Sequence, residues 1–175
     1  EAAKALMEEA GYPGGEGYPT LTLITQNDQE KKDVAQAMQA MWKENLGVNV
    51  EIVTFEPKVY WDEQTAGNFD ICYDGWTGDY PSTNLDCFLL QRNETQCRWL
   101  NDQAKEYDSM MKEARSLTDN KKRMELFEAG EKLLMEEMPI LPLYYRNAQL
   151  LVKPGCEGVI KTYIGHTIFK YADKQ

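Results

Sequence analysis

One histidine stands among 175 residues, and the sequence carries no GxSxG, HExxH, GxGxxG or GxxxxGK[ST] pattern. The common hydrolase, zinc-peptidase, dinucleotide and P-loop chemistries therefore lack their residues here. His166 follows Gly165 near the end of the chain and reads as a surface turn residue rather than a base or ligand. The loop Gly14 to Gly17 holds no Lys and joins no strand to a helix, so it reads as a linker and not a phosphate cradle. Cysteine is scarce: Cys72, Cys87, Cys97 and Cys156 are too few for a disulfide scaffold and lack paired CxxC spacing, so no metal site and no cofactor are expected. Basic residues are short as well. With 19 Lys and Arg against 29 Asp and Glu the formal charge is −10. A polyanion needs a cationic face, so nucleic acid and anionic membrane surfaces are poor partners, and cationic or zwitterionic ligands fit better. Long apolar runs are missing too: Met138 to Tyr145 contains two prolines and stops at Arg146, far below the roughly 20 residues that span a bilayer.

What is present suffices for a core, with 42% hydrophobic and 11% aromatic residues in a length typical of one domain. Glu1 to Ala10 reads as a helix with Ala3, Leu6, Met7 and Ala10 on one face and no capping residue before it, so a piece of a longer or processed protein is expected. A glycine-rich loop follows, then a strand over Thr20 to Thr25. Asn27 and Glu30 form a capping box for a helix carrying Val34, Met38, Met41, Trp42 and Leu46, ended by Gly47. Val48 to Phe55 alternates as a second strand, and the pair with its helix makes a right-handed parallel βαβ unit. A short helix is expected over Lys58 to Ala66, stopped by Gly67. A third strand runs from Phe69 to Trp76, with Phe69, Ile71 and Tyr73 alternating against Asp70, Cys72 and Asp74.

Beyond Thr77 the pattern weakens, and Ser82 or Thr83 is the candidate cap for a short helix with Leu85, Phe88 and Leu89. Asn101 or Asp102 then caps a helix with Ala104, Tyr107, Met111 and Ala114 inward. Thr118 opens another, with Met124, Phe127, Leu134 and Met138 on its face and Pro139 as its stop. These stripes are packing faces of a helical hairpin. Ile140 to Val152 alternates like one long strand or two, and Thr167 to Tyr171 is a last β segment. Cys87 and Cys97 flank a short polar loop that a disulfide would close in an oxidising compartment; Cys72 reads as a small buried hydrophobe, and the three pairings of four cysteines stay open.

The segment Asp74 to Pro81 lies at the carboxyl end of the third strand, where ligands of open α/β sheets gather. Gly75 and Gly78 let a ligand backbone come close. Trp76 offers a flat apolar wall and Asp79 a carboxylate beside it, a pairing suited to a protonated amine on an apolar or amide-bearing molecule. The competing reading is a Trp used as core filler with Asp79 and Pro81 forming a turn.

Five segments together carry a resemblance. ALMEEAGYPGG (5 to 15), MWKENLGVNV (41 to 50), FDICYDGWTGDY (69 to 80), LPLYYRNAQLLVKP (141 to 154) and FKYA (169 to 172) resemble, in order, the carboxy-terminal large lobe of the extracytoplasmic oligopeptide and dipeptide binding proteins of ABC importers, family 5. The resemblance implies an α/β lobe of the type II periplasmic-binding-protein kind, with a mixed, mainly parallel sheet flanked by helices. It implies a single lobe over residues 1 to 175, with the amino-terminal lobe of the same protein and an ABC permease as partners and a small peptide as ligand. It further implies an extracytoplasmic location, in some members with a lipid anchor. On the motif's pattern, Asp79 would pair with the ligand's amino terminus and Trp76 would pack on a ligand side chain. Backbone around Gly75 and Thr77 would add as a strand, with Tyr73 and Tyr80 beside it. Where one member has an Arg that meets a ligand carboxylate this chain has Tyr73, and where a His assists it has Glu30, so carboxylate capture is not carried over. Other solutes on the same fold (oligosaccharide, haem, metal chelate), with Tyr73, Trp76 and Tyr80 as stacking surfaces, are the alternative. A hydrolase using Asp74 and Asp79 is remote, because no positioned partner or oxyanion donor accompanies them. A signalling or adhesion module on the same lobe is a third class.

Overall fold

Strand β1 (Leu21–Gln26) is the central strand of a three-stranded parallel sheet of order β2-β1-β3, in which β2 is Val50–Phe55 and β3 is Ile71–Cys72. This computed structural model describes residues 1–75, 99–147, 149–162 and 165–174. They fall in two compact units, whose described parts are 1–75 and 99–174.

In the first unit the register Leu21↔Val50, Leu23↔Ile52 and Leu23↔Ile71 puts the odd residues of β1 and β3 and the even residues of β2 on one face. Helix α2 (Gln29–Leu46) covers that face: its Ala35 and Met38 are buried with Leu23, Val48, Val50 and Tyr73, and Trp42 and Leu46 pack at the margin. Helix α3 (Pro57–Ala66) serves the other face through Tyr60, which is fully buried and reaches Cys72. The parallel βαβ unit and the α/β class read from the sequence are thus present. Asp28 caps α2, accepting the Lys31 amide at 3.1 Å. The expected cap, Asn27, is still part of the sheet edge. Its N–H donates to the Phe55 carbonyl at 2.7 Å, and its side-chain amide donates to Glu56 at 2.8 Å. Gly47 and Gly67 end α2 and α3 in the left-handed region, as expected.

Helix α1 (Ala2–Glu9) has no side-chain cap, and of its expected face only Met7 touches the core, while Leu6 is exposed. Its neighbour is the tight turn at Pro13–Gly15, which lies against the end of α2.

In the second unit, α4 (Asp102–Ser116) and α5 (Asn120–Glu137) form the expected hairpin, capped by Asn101 and Asp119. Ala104, Tyr107, Met111 and Ala114 are all fully buried. On α5 the buried residues are Phe127, Gly130 and Leu134; Met124 and Met138 are about half exposed, which corrects the expected stripe. Met138 already lies beyond the helix, in a left-handed conformation. The Asn101 amide and the Trp99 indole both donate to one carboxylate oxygen of Glu137, at 2.7 and 3.4 Å, tying the start of the hairpin to its end.

The strand expected over Ile140 to Val152 is absent from the described residues there, and Tyr145 and Leu151 are 93% and 96% exposed. Alternation fits a residue to a pleated surface, but a strand forms only where a neighbour takes its backbone groups, and among the described residues no strand pairs with this segment. Two antiparallel pairs close the unit: β4 (Cys156–Glu157) with β7 (Asp173–Lys174), and β5 (Ile160–Lys161) with β6 (Thr167–Ile168). The last β segment is thus shorter than expected. His166 sits exposed in the turn between β5 and β6, where its carbonyl accepts from the Thr162 N–H at 2.8 Å.

Two glycines allow a stability test. A Cβ at Gly47, whose φ is +71°, would collide with the Gly14 carbonyl oxygen, whereas a Cβ at Gly130 would crowd the methyl end of the flexible Met111 side chain and make ordinary contact with the Tyr107 ring. Gly47→Ala should therefore destabilise by more than about 1 kcal/mol. Gly130→Ala should be milder, since Ala recovers roughly 1 kcal/mol of helix propensity. Urea unfolding of the two variants checks the order, and equal losses would contradict it.

Candidate functional site

The chain leaves β1 for β2 on one side and then crosses back to β3 on the other, so its direction of winding reverses between β1 and β3. The carboxyl ends of strands at such a reversal are the usual ligand position in open α/β sheets. Residues 73 to 75 lead from β3 into that edge.

Three elements converge on them. The Tyr73 N–H donates to the Ile24 carbonyl at 2.9 Å, one step past the end of β3. The Tyr73 carbonyl accepts from the Thr25 hydroxyl of β1 at 3.2 Å and from the Tyr60 hydroxyl of α3 at 3.3 Å. One residue on, the Asp74 carboxylate meets the Lys31 ammonium of α2 at 2.6 Å, with the two side chains only 18% and 10% exposed. That ammonium also lies 5.9 Å from the centre of the Tyr60 ring. Low exposure keeps water from competing with these contacts and strengthens each.

Behind this edge the Tyr60 hydroxyl lies 2.9 Å from the Cys72 sulfur, and the Gln64 amide donates to the same sulfur at 3.3 Å. Burial pushes the Cys72 thiol above its ordinary value, against the pull of the Tyr60 and Gln64 hydrogen bonds. Burial also pushes the Tyr60 phenol upward, helped by its bond to Cys72 and by the Asp74 charge. Cys72 is thus a half-buried free thiol held in its neutral form, close to the packing role read for it.

Of the residues singled out in the sequence, Tyr73 is 8% exposed, with its ring in the α2-side core. Nothing among the described residues lies within 4 Å of where a Cβ would stand at Gly75. Trp76, Thr77, Asp79 and Tyr80 lie outside the described residues, as do Cys87 and Cys97 of the candidate disulfide. Asp74, the partner of Asp79 in the remote hydrolase reading, is held by Lys31. Lys31, Thr25 and Tyr60 escaped the sequence reading. Lys31 occupies the polar first turn of α2, and its partner is 43 residues away, so no local pattern marks it. Among the described residues no cluster of His, Cys, Asp and Glu could hold a metal ion, and no helix is long and apolar enough to cross a membrane. In the second unit, a shallow, mostly apolar groove of about 350 Å³ includes none of the predicted ligand-binding residues.

A parallel sheet with a helix on each face places this unit in the α/β class. Comparison with known proteins makes this specific. Residues 1–94 match the family described as "Bacterial extracellular solute-binding proteins, family 5 Middle". The chain belongs to this family. It is 36% identical over 158 residues to the periplasmic murein peptide-binding protein MppA of Escherichia coli, covering 89% of this chain and 29% of that protein. It is 32% identical over 170 residues to the dipeptide-binding protein DppE of Bacillus subtilis, covering 96% of this chain and 30% of the relative. Among solved structures, Haemophilus influenzae OppA in complex with RPPGFSPFR superposes with a TM-score of 0.74 at 30% identity, over 89% of this chain and 30% of that one. The chain thus spans about three tenths of the length of the relatives it matches.

The shifted groups behind the edge set a pH response. Both acids are raised on folding, so the folded chain holds their protons more tightly than the unfolded chain does. Their contribution is intact below the unfolded values, 9.0 for the thiol and 10.0 for the phenol, and is lost as the pH climbs through and beyond them. The thermal midpoint should fall between pH 8 and pH 11, and less steeply in a Tyr60→Phe, Cys72→Ala double variant. Parallel pH profiles for the two proteins would contradict this.

Proposed function

We propose that residues 1 to 175 form most of the larger lobe of a two-lobed extracytoplasmic solute-binding protein. It captures oligopeptides or dipeptides without a chemical step and hands them to an ABC permease. One observation carries the reading: the pinned end of β3 opens at Gly75 directly before Trp76, in the segment that bears the family's motif and at the edge where this sheet class takes ligands. Support comes also from the relatives, which are named for murein peptide and dipeptide binding, and from a solved neighbour that holds a nonapeptide.

In this reading the ligand lies along the backbone from Gly75 to Thr77, trading main-chain hydrogen bonds as an added strand would, which gives affinity largely independent of sequence. Asp79 receives the ligand's ammonium. Trp76 and Tyr80 supply apolar walls. Tyr73 contributes its carbonyl, which fixes the strand end, while its ring stays in the core. The Lys31 cation is already engaged by Asp74, so neither it nor Tyr73 stands ready for a ligand carboxylate. Closure by the amino-terminal lobe would exclude water and lower the local dielectric, strengthening the ammonium–carboxylate contact. A lobe alone leaves that contact solvated, where it contributes no more than about 1 kcal/mol.

Two measurements by calorimetry test the reading, using trilysine and trialanine as probes. The full-length protein should bind at least one of them at micromolar concentration or tighter, and Asp79→Ala should weaken that binding by roughly tenfold to several hundredfold. An unchanged dissociation constant would remove Asp79 from the site. Residues 1 to 175 expressed alone should bind neither peptide measurably, and micromolar affinity in that fragment would contradict the two-lobed site.

A further inference from the structure

We infer that Lys31 and Asp74 act as a positioning pair for ligand binding, setting the direction in which the backbone leaves β3 at Gly75. The inference rests on the peptide-binding reading above and adds to it two residues that would not touch the ligand.

The geometry separates this pair from an ordinary surface ion pair. Lys31 belongs to the first turn of α2, and its backbone N–H is already held by the Asp28 cap, so its main chain is fixed before the side chain is considered. Its ammonium reaches Asp74 at 2.6 Å, across a sequence separation of 43 residues. Other lysine–carboxylate pairs among the described residues, such as Lys105–Asp102 and Lys132–Glu136, join neighbours on one helix with well-exposed side chains. Such pairs have little effect on structure or stability.

Asp74 stands between two residues of opposite character. On its amino side the Tyr73 carbonyl is fixed by Thr25 and Tyr60. On its carboxyl side is Gly75, with no Cβ and, among the described residues, nothing within 4 Å of the place one would occupy. A glycine samples a wide range of backbone angles, so the direction of the chain after it depends on what holds the residue before it. The Lys31 contact supplies that hold. Main-chain recognition needs donors and acceptors placed within a few tenths of an ångström, so the loss of one distant support lowers affinity without removing a ligand contact. Removing either partner would also leave a nearly buried charge uncompensated, which the local backbone can relieve by turning Asp74 or Lys31 toward water.

Trilysine binding to the full-length protein, measured by calorimetry well below the unfolding temperature of each variant, tests the pair. Lys31→Met and Asp74→Asn should each weaken binding roughly tenfold. The double variant should be little worse than either single one, as expected for two groups that act through one contact. Lys31→Arg, which keeps the charge, should recover most of the affinity, and it guards against the case in which the neutral variants fold poorly. Amide hydrogen exchange should quicken at Gly75 in Lys31→Met and stay unchanged in β2. If the wild type binds trilysine and Asp79→Ala weakens it, but the pair variants keep the wild-type dissociation constant, the inference falls and the binding reading stands. Losses that multiply in the double variant would likewise show that the two residues do not act as a pair. If Asp79→Ala has no effect, the binding reading itself fails.

Discussion

A single backbone carbonyl, that of Tyr73, gathers the elements around the carboxyl end of β3. It accepts hydroxyls from β1 and α3, and the next residue is tied to α2, so all three neighbouring elements meet where β3 ends. Among the described residues β3 itself has two ladder residues, Ile71 and Cys72. The side-chain bonds do what a longer ladder would have done. Among the described residues, nothing lies within 4 Å of the place a Cβ would take at Gly75.

The Lys31–Asp74 pair contributes to this edge through geometry more than through stability. Bringing two charges out of water costs several kcal/mol per ion, and a good ion pair roughly offsets that cost. The stability of the unit comes instead from the apolar layer of Leu23, Ala35, Met38, Val48, Val50 and Tyr73 beneath α2. Division of labour follows: one face of the sheet supplies the core, while polar contacts at its carboxyl edge hold the strand end in place. Cys72 and Tyr60 lie between the two, buried enough to stay neutral and close enough to pass a rigid packing surface to the edge.

Much of this fold was legible in the sequence, because its strongest signals are local. The spacing of Ala104, Tyr107, Met111 and Ala114 gives the buried face of α4, and the alternation from Val48 to Phe55 gives β2 and its inward side. Tyr73 shares the parity of Ile71, so its core position was also readable, although the resemblance places it in the ligand motif, where one member has an Arg, and its ring offers a stacking surface. What escaped depends on distant partners. Asn27 looks like a cap until Phe55 takes its N–H, and Lys31 looks solvated until Asp74 arrives from far along the chain. The Ile140 to Val152 segment has a strand's alternation but no ladder neighbour among the described residues, and no inspection of the segment itself reveals that. The ligand contacts proposed for Trp76, Thr77, Asp79 and Tyr80 rest on their motif and on the edge into which Gly75 leads.

The most direct measurement is a crystal structure of the full-length protein grown with trilysine. The account predicts the peptide lying along residues 75 to 77, its amino terminus within hydrogen-bond distance of the Asp79 carboxylate and the Trp76 ring against one of its side chains. An indole sealed in the interior, with Asp79 turned away from a peptide bound elsewhere, would contradict it.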